Sequence, residues 1–132
     1  SLYTSFVPEK AAIGEPYTVE VSEDTAYPVV YIKDAAAAIF ALAEAETAPR
    51  QIYNISSGRV VASELVDAVR EIIPDARFDY RPDPDVMAIV GGFGDWEIDC
   101  SRAEEDIGFK ARYSVGEMVR DIIAVARGDG NE

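Results

Sequence analysis

The sequence predicts an α/β fold with a small mixed sheet and about four helices. Two short runs rich in strand-forming residues, 29–32 (Val-Val-Tyr-Ile) and 51–55 (Gln-Ile-Tyr-Asn-Ile), flank an alanine-rich helical stretch. Further along, two stretches place their apolar residues three and four positions apart, as one face of a helix does. An apolar strand with little alternation is normally covered on both faces, so the remaining elements are expected to pack around this central unit.

Composition limits the architecture and the function. The chain has 132 residues, 48% of them hydrophobic, which fits a single domain over residues 1–132. A net charge of −13 without histidine makes this an acidic protein and disfavours nucleic acid as a partner. Cys100 is the only cysteine, so an intrachain disulfide and a Cys/His zinc site are excluded. No apolar run reaches the roughly 20 residues of a membrane span, and a cytoplasmic location is expected.

The elements before the central unit are short. Residues 1–13 are predicted to form a helical arm that ends at Gly14. Residues 17–21 alternate well enough for a strand, and residues 22–26 are polar enough for a loop.

Within the central unit, Asp34 is predicted to cap the helix that follows the first run, and this helix breaks near Pro49. The second run ends in a turn, Ser56-Ser57-Gly58. A helix then follows with apolar residues on one face and stops at Pro74; Val61 is a weak cap for it.

The last part of the chain holds a predicted strand at 76–80 and a segment, 81–85, in which two prolines favour irregular structure. Residues 86–90 form a short apolar turn of helix or strand. A short helix at 101–107, capped by residue 99 or 100, stops at Gly108. The final helix begins with a capping box of Ser114 and Glu117, and residues 129–132 are expected to fray.

No catalytic group can be assigned from the residues. Without histidine and without a glycine-flanked serine, no nucleophilic triad can be written. Neighbouring carboxylates are expected on solvated faces, and no acidic loop has calcium-binding spacing, so neither a catalytic residue nor a metal site is predicted.

Two segments have both a structural and a functional interpretation. The glycine-rich segment 91–94 is either a tight loop or a flexible mount that presents Phe93 and Trp96 to a ligand. The turn at 56–58 either is ordinary turn chemistry or lies where open α/β folds bind ligands, at the end of a strand.

Taken together, the segments resemble the C-terminal half of extended short-chain dehydrogenase/reductases, the NAD-dependent epimerase/dehydratase family. The resemblance spans about residues 10–126. It is carried by residues 29–38, 52–58, 63–65, 99–103 and 107–109 in that order. Residues 80–84 and 88–93 are similar to two branches, the short-chain type of L-threonine dehydrogenase and the sugar-acid (erythronate-type) dehydrogenases. Those branches carry a tryptophan near the position of Phe93.

The resemblance implies an NAD or NADP cofactor held by an N-terminal Rossmann half with G-x-x-G-x-x-G, and catalysis by Tyr-x-x-x-Lys. Neither motif occurs in this chain. The chain is therefore expected to be the substrate-binding half of a longer oxidoreductase or epimerase/dehydratase, with no cofactor of its own and no activity alone. Its substrate would be a small polar metabolite bearing a hydroxyl group, such as a sugar, a sugar acid or a hydroxy amino acid.

The resemblance also indicates substrate-binding residues. Arg81 is a candidate to pair with a substrate carboxylate or phosphate, or else a surface residue. Gly92 and Phe93, with Trp96 nearby, are candidates for an apolar wall.

Partner expectations follow from the missing half. In the family, the strand matching residues 51–55 joins the nucleotide-binding sheet, so the isolated chain is expected to self-associate, and a homo-oligomer is predicted. Two alternatives remain: a freestanding module that binds a small molecule or a partner without catalysis, and a dimerisation piece.

Overall fold

The computed structural model describes residues 2–129, and its α/β architecture divides into two compact units. The first unit contains residues 2–27, 60–95 and 114–129, and the second contains residues 28–59 and 96–113. The α/β class predicted from the sequence is confirmed. The expectation of one domain over residues 1–132 stays a prediction, because a compact unit is not by itself an independently folding domain.

The first unit is built on three helices that pack against one another, α1 (Tyr3–Ala12), α3 (Ala62–Ile72) and α6 (Val115–Ala126). Their small apolar side chains interlock, and valines from all three are completely buried: Val7, Val66, Val69 and Val119. Burial of this kind contributes about 1.5–3 kcal/mol per large side chain.

A two-stranded parallel sheet completes the first unit. It pairs β1 (Tyr17–Val19) with β4 (Phe78–Tyr80), and Thr18 lies opposite Asp79. The helix α4 (Pro84–Val90) follows, and a 3₁₀ turn, Gly91–Phe93, continues from it. The sequence predicted residues 81–85 to be irregular, but the helix starts at Pro84. Proline is compatible with the first helical position, and the Asp83 side chain accepts the amides of Asp85 and Val86 there.

The second unit holds α2 (Ile32–Glu44) and α5 (Ser101–Ile107). A small core of Ala38, Ala103 and Phe109 lies within it, and Tyr53 and Ile55 pack against that core. The strands β2 (Ala26–Val29) and β3 (Gly58–Val61) form a further two-stranded sheet.

Signals that act within a few residues were predicted correctly. The capping box of Ser114 and Glu117 is present at the start of α6. The predicted helix stops Gly14 and Gly108 have φ of +75° and +67°, a backbone region that glycine adopts at little cost. Residues 129–132 were predicted to fray. Residues 130–132 of this tail lie outside the described residues.

The boundary between the first predicted strand and its helix is wrong. The strand ends at Val29, and α2 begins at Ile32 with Tyr31 as N-cap. Asp34 therefore does not cap the helix; it lies in the first turn, and its carboxylate is directed to tertiary partners.

The predicted strand at residues 51–55 does not form within the described part of the chain. Its side chains still alternate, because Tyr53 and Ile55 are half-buried while Ile52 and Asn54 are exposed. A strand requires a hydrogen-bonded neighbour as well as an alternating pattern, and none of the four described strands pairs with this segment. Among the described helices, none is both long and apolar enough to span a membrane.

Candidate functional site

The predicted site residue Arg81 lies directly after β4, in the first unit. Its backbone amide donates to the carbonyl oxygen of Val19 at 2.9 Å and so continues the pairing of β1 with β4. The side chain is 80% exposed, and its Nη2 is 3.5 Å from Oδ2 of Asp79. An exposed ion pair of this length contributes at most about 1 kcal/mol, so the guanidinium can exchange Asp79 for an anionic ligand at little cost.

Gly92 and Phe93 lie in the 3₁₀ turn of the same unit. The Phe93 ring packs edge-on against Tyr27, with ring centroids 5.3 Å apart and the planes at 68°. This geometry is favourable for aromatic pairs and restricts the orientation of Phe93. Gly92 is exposed, its φ is not positive, and a Cβ built on it would meet no atom within 4 Å. The backbone therefore does not require glycine at this position.

Trp96, the fourth predicted residue, belongs to the second unit. It is 60% exposed and lines a cavity of about 310 Å³ made entirely by residues of that unit. Other lining residues come from the turn at 56–59 and from the segment around Cys100. The volume lies at the small end of the range for ligand pockets, roughly 300–1,000 Å³, and fits a metabolite of few atoms.

The turn that lines this cavity is held by side-chain hydrogen bonds. The hydroxyl of Ser56 donates to the carbonyl of Val29 at 3.0 Å and accepts the amide of Gly58 at 3.0 Å. Gly58 has a φ of +109°, a backbone conformation that residues other than glycine rarely adopt. The turn predicted between residues 56 and 58 is thus held in place by the Ser56 side chain.

One buried carboxylate connects two walls of the cavity. Asp34 is 1% exposed, and its Oδ2 accepts the hydroxyl of Ser57 at 2.6 Å. Its Oδ1 accepts the backbone amide of Arg112 at 2.9 Å, next to Ala111, which also lines the cavity. The hydroxyl of Ser57 in turn accepts the amide of Tyr31 at 2.8 Å. The sequence indicated only a helix cap for Asp34, because nothing local points to partners so far along the chain.

Cys100 supplies the one thiol at the cavity, and it is half-buried. The pKa of its thiol is raised, mainly because the thiol is buried. A backbone hydrogen bond with Ser56 lowers this pKa in part, and the negative charge of Asp99 raises it. A thiol with a raised pKa is protonated at neutral pH and is a poor nucleophile. Cys100 is therefore not an activated thiol.

The glycine-rich segment 91–94 does not fit the pyrophosphate of a nicotinamide dinucleotide. The pyrophosphate of such a cofactor binds a glycine-rich turn between a strand and a helix N-terminus. Here the glycine-rich segment 91–94 continues the C-terminal end of α4 as a 3₁₀ turn, and none of its glycines has positive φ. Within residues 2–129, no group of three or more acidic, cysteine or histidine side chains is placed to hold a metal ion.

Comparison with curated proteins finds relatives over most of the chain. No protein-family model matches it. The chain is 28% identical over 122 residues to an uncharacterized epimerase/dehydratase of Staphylococcus saprophyticus, covering 90% of this chain and 38% of that protein. It is 30% identical over 105 residues to one from Staphylococcus haemolyticus, covering 77% of this chain and 33% of that protein. The chain thus spans little more than a third of the length of these relatives.

Solved structures give the same result. A partial consensus L-threonine 3-dehydrogenase superposes with a TM-score of 0.79 and 33% identity, over 96% of this chain and 41% of that one. A GalE-like L-threonine dehydrogenase from Cupriavidus necator, in its holo form, superposes with a TM-score of 0.77 and 36% identity. The match covers 90% of this chain and 39% of that one. A UDP-glucuronic acid 4-epimerase from Bacillus cereus, solved with UDP-glucuronic acid and NAD, superposes with a TM-score of 0.78 over 97% of this chain and 40% of that one. Because the identity is 12%, this similarity shows the fold alone.

Proposed function

Because the chain matches the C-terminal part of extended short-chain dehydrogenase/reductases, we propose that it is the substrate-binding half of such an enzyme. The parent enzyme would be an NAD(P)-dependent oxidoreductase or epimerase/dehydratase acting on a hydroxyl group of a small polar metabolite. One observation carries this proposal. The superposition on the partial consensus L-threonine 3-dehydrogenase, at 33% identity, covers 96% of this chain but only 41% of that one. The glycine-rich segment 91–94 forms no strand-to-helix phosphate turn, and the sequence has no Tyr-x-x-x-Lys; both observations support placing the cofactor and the catalytic tyrosine in the other part.

In this proposal, binding and orientation are the work of this chain. Arg81, exposed and only loosely paired with Asp79, would hold a carboxylate or phosphate of the substrate. Phe93, restricted by Tyr27, and Trp96, at the rim of its cavity, would supply apolar surface. Gly92 would let the backbone approach the ligand, since a side chain there would project into open space.

The experiment begins with the complete reading frame that contains these residues. Expression of its product should yield a protein with a glycine-rich fingerprint and Tyr-x-x-x-Lys ahead of residue 2, and with NAD(P)-dependent turnover of a hydroxyl-bearing metabolite. In that protein, Arg81→Ala should raise KM roughly 10- to 100-fold, because a charge-assisted hydrogen bond to an anion contributes about 1.5–3 kcal/mol.

The matched control is Arg120→Ala, which removes another exposed guanidinium, on α6. It should leave KM within about twofold of the unaltered enzyme. An equal KM in the Arg81→Ala protein would remove Arg81 from the substrate site, and a product without the two motifs would contradict the enzyme assignment itself.

A freestanding binding module is the second candidate, favoured by the cavity that the second unit forms from its own residues. Trp96 is the only tryptophan and lines this cavity, so fluorescence excited selectively at tryptophan reports on the cavity in the 132-residue chain. L-threonine, a hexuronate and a sugar acid can be titrated against it with and without NAD⁺. Under the leading proposal the isolated half gives no NAD⁺-dependent change; saturable binding together with a reading frame of only this length would favour the module.

A further inference from the structure

The first unit contains a second cavity, formed entirely by its own residues. The cavity has a volume of about 600 Å³, which lies within the range of ligand pockets. Its lining comes from residues 11–15, from residues 73 and 75–77, and from Arg127. Ala11 and Ala12 are buried there, and Ile73 and Ala76 are half-buried, so part of the wall is apolar.

Three helices end at this cavity, here named the helix-end cavity. The C-cap residues of α1, α3 and α6 all line it: Ile13, Ile73 and Arg127. The last carbonyl groups of a helix carry partial negative charge, so helix ends without caps would attract a cation. Backbone amides of the following residues already bond some of these carbonyls, that of Lys10 at 2.9 Å and that of Ala124 at 2.8 Å.

Two arginine side chains bond further carbonyl groups at the end of α1. Nη2 of Arg77 donates to the carbonyl oxygen of Gly14 at 2.9 Å, and Nε of Arg127 donates to that of Ala12 at 3.2 Å. A guanidinium has five N–H donors, so four remain on each side chain. Among residues 2–129, no carboxylate lies within ion-pair distance of either guanidinium. The unused hydrogen-bonding capacity at the cavity is therefore that of cationic donors.

The carboxylates at the helix-end cavity do not cancel this positive charge. Glu15 forms an ion pair with Lys10, which leaves Asp75 as the other acidic residue of the lining. Asp75 is exposed, and solvent weakens its effect on the two guanidinium groups. The lining thus keeps an excess of positive charge, although the whole chain has a net charge of −13. A local excess of this sign favours an anionic ligand.

We propose that the helix-end cavity binds a small organic anion. Arg77 and Arg127 hold its carboxylate or phosphate group, because guanidinium groups form strong, charge-assisted hydrogen bonds with both. A short apolar part of the ligand packs against Ile13 and Ile73. The apolar wall is the reason to expect an organic anion and not an inorganic ion.

This cavity is separate from the substrate site proposed above. Arg77 directly precedes β4, and Arg81 directly follows it. At about 3.3 Å per residue along a strand, the Cα atoms of the two arginines are about 13 Å apart. The inference therefore goes beyond the proposed function and does not depend on it.

The test titrates n-butyl phosphate into the product of the complete reading frame that contains residues 1–132, by calorimetry at constant ionic strength. Saturable binding is expected, with a Kd of about 1 mM or tighter. Inorganic phosphate should bind at least about fourfold more weakly, because burial of one methylene group changes affinity by about that factor. Pentanoate carries the same butyl chain on a carboxylate, so the tighter of the two organic anions identifies the head group.

Substitutions at the cavity should weaken binding of n-butyl phosphate. Arg77→Gln and Arg127→Gln should each raise its Kd at least about tenfold, because each removes charge-assisted hydrogen bonds. Ile13→Asp is a further variant for the case that glutamine disturbs the end of α1. Ile13 is 57% exposed, so aspartate is tolerated there, and its charge should raise Kd at least about fivefold.

Two control variants should leave this Kd within about twofold. Arg120→Gln removes an exposed guanidinium about two helical turns before Arg127, on the same side of α6 but outside the cavity lining. Arg81→Ala alters the proposed substrate site and not the helix-end cavity. Raised KM with unchanged n-butyl phosphate binding in Arg81→Ala would therefore support the two sites separately.

Four results would overturn the proposal. The first is no saturable binding of either organic anion up to about 20 mM. The second is unchanged Kd in Arg77→Gln and Arg127→Gln proteins, which would leave these arginines with a structural role only, seen as a lower Tm. The third is equal weakening by Arg120→Gln, which indicates general attraction of anions. The fourth is loss of binding in Arg81→Ala alone, which would assign the anion to the substrate site.

Discussion

At the scale of single residues, Asp34 joins α2 to two distant segments of the second unit. Its two carboxylate oxygens accept hydrogen bonds from residues 23 and 78 positions away in the sequence. Both donors lie next to or within walls of the cavity that Trp96 lines. A buried carboxylate is tolerated only with such partners, so its presence fixes the turn at Ser57 and the segment at Arg112 relative to α2.

Replacing Asp34 tests this arrangement. Asp34→Ala should lower the free energy of unfolding by roughly 2–4 kcal/mol, because the Ser57 hydroxyl and the Arg112 amide lose their buried acceptor. Asp34→Asn keeps one acceptor oxygen and should cost less. Urea unfolding gives the energies, and hydrogen exchange at the Arg112 amide gives the local effect. The exposed Asp75→Ala is the control and should stay within about 0.5 kcal/mol; an equally small effect for Asp34→Ala would contradict the role described.

Arg81 shows how far local sequence can predict a site residue. Its position after β4 was predicted closely, because the strand at 76–80 and the prolines that follow are local signals. The contact with Asp79 says less about the role of Arg81. Asp79 is exposed, and it accepts a hydrogen bond from the Thr18 hydroxyl as well as pairing with Arg81. The role of Arg81 in binding a substrate therefore stays a prediction for kinetics to test.

At the scale of elements, Tyr3 ties α1 to the rest of the first unit. Its hydroxyl donates to the carbonyls of Thr25 at 3.2 Å and Val60 at 3.1 Å, so one group bridges the residue before β2 and a residue of β3. Burial raises the pKa of Tyr3 to about 12, and the nearby phenol of Tyr27 adds to the effect. The neutral hydroxyl is therefore the form that the folded state stabilises.

Stability should consequently fall at alkaline pH. An unfolded tyrosine releases its proton near pH 10, before the folded one does, so the unfolded chain is favoured progressively between pH 10 and about 12. The expected loss is roughly 1–2 kcal/mol from Tyr3 after allowance for solvent screening. Burial also raises the pKa of Tyr17 and of Tyr80, so part of the fall remains in any Tyr3 variant.

Tyr3→Phe isolates the contribution of Tyr3. At pH 7 it should cost roughly 1–2 kcal/mol, because two buried carbonyls lose a donor. Between pH 10 and 12 its stability should fall less steeply than that of the unaltered chain. Urea unfolding at pH 7, 9.5 and 11 measures both effects. Tyr113→Phe, which retains Tyr3, should keep the full alkaline slope; parallel slopes for all three proteins would be incompatible with a protonated, buried Tyr3.

Elements with local signals were predicted better than those that need a distant neighbour. The capping box of α6 uses residues three positions apart, and Gly108 ends α5 through its own backbone conformation. The segment 51–55 has the alternation of a strand, but pairing requires another strand beside it, and alternation cannot provide one. The strand predicted to reach Ile32 is wrong for a related reason. The apolar run 29–32 contains both the end of β2 and the start of α2, and apolar residues are common at the end of a strand and at the start of a helix.

At the scale of the whole molecule, the acidic surface and the exposed apolar side chains of α2 act in opposite directions. A net charge of −13 keeps chains apart, whereas exposed Ile32, Ile39 and Phe40 favour association. Self-association of the isolated chain, expected from the sequence, therefore stays a prediction, and it should be strongest at high salt, where charge repulsion is screened.

The sequence alone determined the α/β class, the positions of most helices, and the similarity to the C-terminal part of a larger enzyme family. These follow from periodicity, caps and glycine stops, which are interactions between residues a few positions apart. Only the tertiary structure decided the partners of Asp34, the cavity beside Trp96, and the exposure of the large apolar side chains of α2. The physical reason is that burial and hydrogen bonding between residues 23 or 78 positions apart depend on how the elements pack, and no local pattern records that packing.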